Sequence, residues 1–205
     1  MEFLKKIVVA ACLVFSSQLF AQDSKELQTA FSKSYAYEAK YQYEEAIKVM
    51  KELYSEKSYP INIRLGWLNY INKNYGSAIV YYQKASSIMP SSAEALWAML
   101  SPQIALEKWV DVEKTYFSIL KLEPRNASAL YKLGLIYYYR KNYTSAKKYF
   151  DVALNLYPLD YNTLLMSAWT NYFLGNLNEA KILFNRVLLL YQTDASALEG
   201  LSLIK

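Results

Sequence analysis

The chain has 205 residues, 54% of them hydrophobic and 20% charged, with a formal net charge of +5. That balance excludes a disordered chain, and five Gly and five Pro leave little room for turn-rich β architecture. His is absent and Cys12 is the single thiol, which removes the usual general base near neutral pH, the imidazole metal ligand, the thiol nucleophile and any intrachain disulfide. No cofactor and no enzymatic activity are expected, and basic residues interspersed with acids argue against a nucleic-acid partner.

At the start of the chain, Lys5 and Lys6 precede an apolar run from Ile7 to Phe15, followed by Ser16, Ser17 and Gln18 and then Ala21. This order of basic, apolar and small polar residues reads as a secretory signal peptide over 1–21, with the mature chain starting near Gln22. The apolar run is too short to span a bilayer, and no later stretch is uniformly apolar for long enough, so the mature chain is expected to lack a transmembrane segment. An alternative places the anchor at Cys12, because Val9-Ala10-Ala11-Cys12 resembles a bacterial lipobox; Leu13, Val14 and Phe15 continue the apolar run past that point and favour the signal peptide.

From there the chain repeats itself. Pro90, Pro124 and Pro158 are spaced by 34 residues, as are Ala146 and Ala180. Ala93-Glu94-Ala95-Leu96 returns as Ala127-Ser128-Ala129-Leu130 and again as Ala195-Ser196-Ala197-Leu198. Taken in order, the units are 27–58, 59–92, 93–126, 127–160 and 161–194, with a last helix over 195–205. The first has Tyr37, Tyr43, Ala46 and Met50, with Pro60 arriving late; the second has Leu65-Gly66, Tyr75, Ala78, Tyr82 and Pro90. The third keeps Trp109, Tyr116 and Pro124 but carries Val112 where the others have Ala, and Pro102 inside its first helix predicts a kink or a late start. The fourth is the most regular, with Leu133-Gly134, Tyr137, Tyr143, Ala146, Phe150, Ala153 and Pro158. Gly134 and Ala146 are small where two helices must approach, and Tyr37, Tyr137, Tyr143 and Phe150 are expected in the core. The fifth keeps Gly175, Ala180 and Phe184, then runs into a helix that looks like a cap, although Leu203 and Ile204 make it apolar.

At nearly every signature position the unit 127–160 resembles the tetratricopeptide repeat family, and the resemblance extends over nearly all of the chain after the leader. It implies an all-α, right-handed α-solenoid of about five helical hairpins plus a C-terminal capping helix. It also implies which residues face a ligand, since the first helix of each hairpin lines the concave side in that family. The places carry over as Tyr35, Trp67, Tyr70, Trp97, Tyr131, Tyr138, Tyr139, Trp169, Tyr172 and Phe173, with Ile104, Ser128, Leu135 and Asn162 among the smaller ones. Glu38 and Glu94 are the only formal charges in the set. An aromatic wall of this kind suits a protein or peptide segment with apolar anchors, and some of the rings are expected to pack between neighbouring repeats instead.

The function expected is thus an exported, bacterial, periplasmic or cell-surface scaffold that holds a partner protein. Two other classes stay open: a structural subunit that self-associates through its ends, and a module that stacks its rings on glycan or peptidoglycan. Three Ser-x-x-Lys matches, at Ser118, Ser145 and Ser202, fall at ordinary helix positions with no second motif and carry no catalytic argument.

Overall fold

The structure of the protein, a computed structural model, describes residues 25–204. The expected signal peptide and Cys12 lie outside the described residues. Within them the fold is all-α, with eleven helices and no strand, and the chain forms two compact units, Met1–Pro90 and Ser91–Lys205.

The first unit holds two hairpins: α1 (25–38) with α2 (Tyr43–Glu52), and α3 (Tyr59–Ile71) with α4 (Tyr75–Ile88). Pro60 lies in the first turn of α3, where its missing N–H costs no helical bond; it starts the second hairpin and does not end the first. The longer link before it is fastened from above, because the buried Asn62 side chain donates to the carbonyls of Glu56 at 3.2 Å and Ser58 at 2.8 Å. Ala46, Met50, Ile61, Leu65 and Leu68 make the core of this unit.

The second unit holds α5 (Glu94–Ala105), α6 (Trp109–Leu122), α7 (Ala127–Tyr139), α8 (Tyr143–Leu156), α9 (Tyr161–Phe173), α10 (Leu177–Leu190) and the terminal α11 (Ala195–Leu203). Four of its helices start on the same device: the side chains of Asn126, Asp160 and Asp194 accept from the N–H groups of Ala129, Thr163 and Ala197, and that of Asn142 from Ser145. The first three are again 34 residues apart.

Within each hairpin the turn has one shape. Tyr41, Lys73, Glu107, Lys141 and Gly175 all take left-handed backbone, with φ from 54° to 77°, and the next residue donates its N–H five residues back, as Asn142 does to Tyr137 at 2.9 Å. This closes the helix C-terminus, at a steric cost wherever the residue is not Gly.

Where the hairpin helices cross, Ala46, Ala78, Ala146 and Ala180 are fully buried. A Cβ on Gly134 would come within 2.4 Å of the Phe150 ring, and one on Gly66 within 2.5 Å of Tyr82. The hairpin α5/α6 differs: Leu100 stands where α7 has Gly134, and Val112 where α8 has Ala146. Both are buried, and the two backbones lie less closely together than those of the other complete hairpins in the unit. Helix α5 runs through Pro102 and begins one residue late in repeat register, with Ala93 as its cap. One expectation is corrected here. Phe150 is core, but Tyr37, Tyr137 and Tyr143 are only half-buried, because a phenol packs its ring while its hydroxyl stays at a polar edge.

Candidate functional site

In the first unit, Tyr35 and Trp67 are exposed and Tyr70 is half-buried. They surround a charge pair that sequence reasoning saw only by half. Arg64, 5% exposed, lies 3.9 Å over the Tyr35 ring, donates from Nε to Ser34 Oγ at 2.7 Å and places Nη1 2.5 Å from Glu38 Oε2. The other Glu38 oxygen accepts from Trp67 Nε1 at 2.7 Å. The expected groove carboxylate is therefore paired within the fold, with Trp67 bonded to it and Tyr35 lying against its Arg64 partner.

In the second unit the expected aromatic residues divide. Trp97 sits edge-on to Tyr116 at 6.0 Å, within its own hairpin, and Tyr131 is tilted against Phe150 at 5.9 Å. Tyr138, Trp169, Tyr172 and Phe173 form a packed ladder between hairpins. Phe173 stacks on Tyr143 at 4.8 Å and meets Tyr138 at 6.0 Å. Trp169 meets Tyr172 at 5.6 Å and Phe184 at 5.1 Å, and its indole N–H donates to Ser196 of α11 at 2.9 Å. Burial, then the neighbouring Tyr143 and Tyr139, pushes the Tyr138 phenol up to about 12. These four rings hold repeats together.

Tyr139 is the most exposed of the ten, at 76%; its ring meets Tyr138 edge-on at 5.6 Å and lines a cleft of about 580 Å³ with Ile104, Trp109, Val112, Tyr116, Leu135 and Ile136. Lys132 and Arg140 complete the lining. The position explains the opening. Trp109 and Tyr139 stand 34 residues before Tyr143 and Phe173, the pair whose stacking closes the next joint. Here the rings form walls, Trp109 being 48% exposed. Leu106 and Val110 add further exposed apolar surface at the α5/α6 turn.

Arg140 is held at the rim. Its guanidinium and the Tyr137 hydroxyl both bind the Glu113 carboxylate of α6, and the Tyr137 ring stacks on Tyr149 at 5.5 Å. Burial pushes Glu113 up, but the bonds from Tyr137 and Arg140 and the Arg140 charge outweigh it and hold the carboxyl below its usual value. The Glu113 bond, then burial, pushes the Tyr137 phenol up to about 12.

Trp109 was legible in the sequence only as a repeat signature. The signal was present in the bulk of Leu100 and Val112 at a crossing elsewhere built from Gly and Ala. A second, polar cleft of about 550 Å³ lies at the turns before α7 and α9 and includes three expected positions, Ser128, Tyr131 and Asn162. No group of three or more Asp, Glu, His or Cys among the described residues is placed to hold a metal, and none of their helices is long and apolar enough to cross a membrane.

Residues 127–160 match the model of the tetratricopeptide repeat. No curated protein matches the chain. Among solved structures, a tetratricopeptide repeat protein from Parabacteroides merdae is 22% identical, with a TM-score of 0.70 over 88% of this chain and 72% of that one. A MamA protein is 18% identical, with a TM-score of 0.68 over 84% and 95%. YrrB, a tetratricopeptide repeat protein with an unusual peptide-binding site, is 13% identical, with a TM-score of 0.64 over 83% and 89%.

Proposed function

Since the chain carries a tetratricopeptide repeat and has the fold of proteins built from it, we propose that it is a non-enzymatic adaptor that holds a segment of a partner protein. The observation that carries this reading is the open joint between α5/α6 and α7, where the exposed rings of Trp109 and Tyr139 line a cleft of mostly apolar side chains instead of meeting each other. A 580 Å³ space accommodates one or two large apolar side chains, and rings with exposed faces are the residue type that anchors such contacts. The peptide-binding site of YrrB, which has the same fold, is in keeping with this use.

Export belongs to the same reading and rests on Lys5, Lys6 and the apolar run Ile7–Phe15. It puts the adaptor in the periplasm or at the cell surface. Mass spectrometry of the native protein should find an N-terminus near Gln22; a diacylglyceryl Cys12 would instead mark a lipid-anchored protein.

The cleft is tested by selecting peptides from a displayed library on the exported chain and measuring the best of them against Trp109→Ala. Selected peptides should share an aromatic or aliphatic anchor, and the variant should bind them at least about 30-fold more weakly. Peptides that bind the variant equally well would place recognition elsewhere. A second reading, self-association through the end of the stack, is favoured by the exposed Leu198 and Leu203 of α11; sedimentation at rising concentration should then show a dimer or larger species.

A further inference from the structure

The polar cleft beside α7 has a counterpart one repeat later that keeps a Tyr and an Asp at the places of Tyr157 and Asp160 but differs at most other lining positions, among them the place of Ala127. At the later turn, Tyr161 packs edge-on to Tyr191 at 4.9 Å and its hydroxyl donates to Asp194 Oδ2 at 2.5 Å. The Asp194 carboxylate is thereby fully used, one oxygen capping α11 and the other held by the phenol. Thirty-four residues earlier the same turn has Tyr157 for Tyr191 and Asp160 for Asp194, but Ala127 for Tyr161. No phenol reaches Asp160 from position 127. Asp160 Oδ1 caps α9 through Thr163, the residue is exposed, and the Tyr157 ring stands 61% exposed. The cleft at this turn measures about 550 Å³, against about 410 Å³ beside Tyr161, Tyr191 and Asp194.

Its lining combines an exposed aromatic face with groups of each hydrogen-bonding kind. Arg125 donates, Asp160 accepts, and Ser128 and Asn162 do both. One cation and one anion offset each other, so the cleft selects neither a strong acid nor a strong base. A ligand that answers this pattern is uncharged, has an apolar face the size of one ring and is edged with groups that both donate and accept. A pyranose has that form: its C–H face lies on an aromatic ring and its hydroxyls pair with carboxylate, amide and guanidinium. The apolar cleft lined by Trp109 and Tyr139 lacks this polar edge and does not fit such a ligand.

We propose that the cleft between Tyr157, Ala127 and Asn162 is a binding site for a neutral hexose unit of a glycan, separate from the apolar cleft that takes the protein partner. In this arrangement the Tyr157 ring stacks on the sugar, and Asp160 and Asn162 bind its hydroxyls.

The test is amide NMR of the chain titrated with chitotetraose, cellotetraose and maltotetraose at millimolar concentration. At least one should shift the amides of Ser128 and Asn162. Tyr157→Ala should weaken that sugar by about tenfold, the effect of losing one stacked ring. Ala127→Tyr sets a phenol against Tyr157 and Asp160 as Tyr161 lies against Tyr191 and Asp194, and by occupying both groups should abolish sugar binding without lowering the melting temperature. Trp109→Ala should leave the sugar titration unchanged, so the loss of peptide binding in that variant does not bear on the sugar site. The proposal is overturned if none of the three sugars shifts these amides, if Ala127→Tyr still binds, or if an uncharged extended peptide shifts them and the sugars do not.

Discussion

The hairpins α5/α6 and α7/α8 occupy successive repeats, yet one is open where the other is closed. In α7/α8, Gly134 lies against Phe150 and Ala146 is fully buried. The helices approach closely, and the Tyr143 ring reaches Phe173 in the next hairpin. In α5/α6, Leu100 and Val112 hold the helices apart, and Trp109 and Tyr139 line a cleft instead of stacking. Small residues at the crossing spend the aromatic surface on the stack itself. Larger ones leave it exposed for something else.

The contrast can be broken most forcefully at its tight end. Phe150→Ala removes a fully buried ring and should cost about 3–5 kcal/mol, whereas Trp109→Ala in the open hairpin should cost about 2 kcal/mol, since half of that side chain already meets water. Urea melts of the two variants make the comparison, and equal losses would mean the open joint is as well packed as the closed one. Gly134→Ala should cost about 1–3 kcal/mol by forcing a methyl group into the Phe150 ring; an unchanged melting temperature would show that the crossing has slack.

Smaller effects are expected at the turns. Gly175→Ala puts a side chain on left-handed backbone and should destabilise by about 1 kcal/mol, while Glu107→Gly removes one from the same conformation and should stabilise by about 0.5–1 kcal/mol. Thermal melts of the pair should move in opposite directions. The smallest effect sharpens the picture of the cleft's rim. Because the folded state holds the Glu113 carboxyl below its usual value of 4.5, folding binds fewer protons there than the unfolded chain. Its contribution is present above that value and is lost as the pH falls through the lower, folded one. Glu113→Gln should flatten the acid side of the stability profile, and a profile identical to that of the parent would remove the carboxylate from the rim's support.

The hairpins were legible because their signals are local or strictly periodic. Pro90, Pro124 and Pro158 mark helix ends by the absence of a donor, and the Ala and Gly positions mark crossings by size. The repeated caps at Asn126, Asp160 and Asp194 follow the same period and were readable in principle. The left-handed turn residues were not, since only Gly175 carries its conformation in its identity, and Tyr41, Lys73, Glu107 and Lys141 take theirs from the hydrogen bonds that close the helix. The Arg64 pairing with Glu38 was hidden for another reason: it joins residues of neighbouring hairpins, and no spacing rule within one helix finds it. Of the ten groove positions, Tyr35, Trp67, Tyr139 and Phe173 keep exposed surface. Tyr138, Trp169, Tyr172 and Phe173 turn toward one another, and the clearest opening involves Trp109, which belongs to a second helix and was not among the groove positions.

The open joint at Trp109 serves binding more than stability. This is tested most directly by measuring, on Trp109→Ala, both the urea-unfolding free energy and the affinity for a peptide selected on the parent chain. Trp109→Ala should lose about 2 kcal/mol or less of stability together with about 2 kcal/mol or more in binding. A stability loss of about 3 kcal/mol or more with unchanged affinity would contradict it and make Trp109 one more ring of the core.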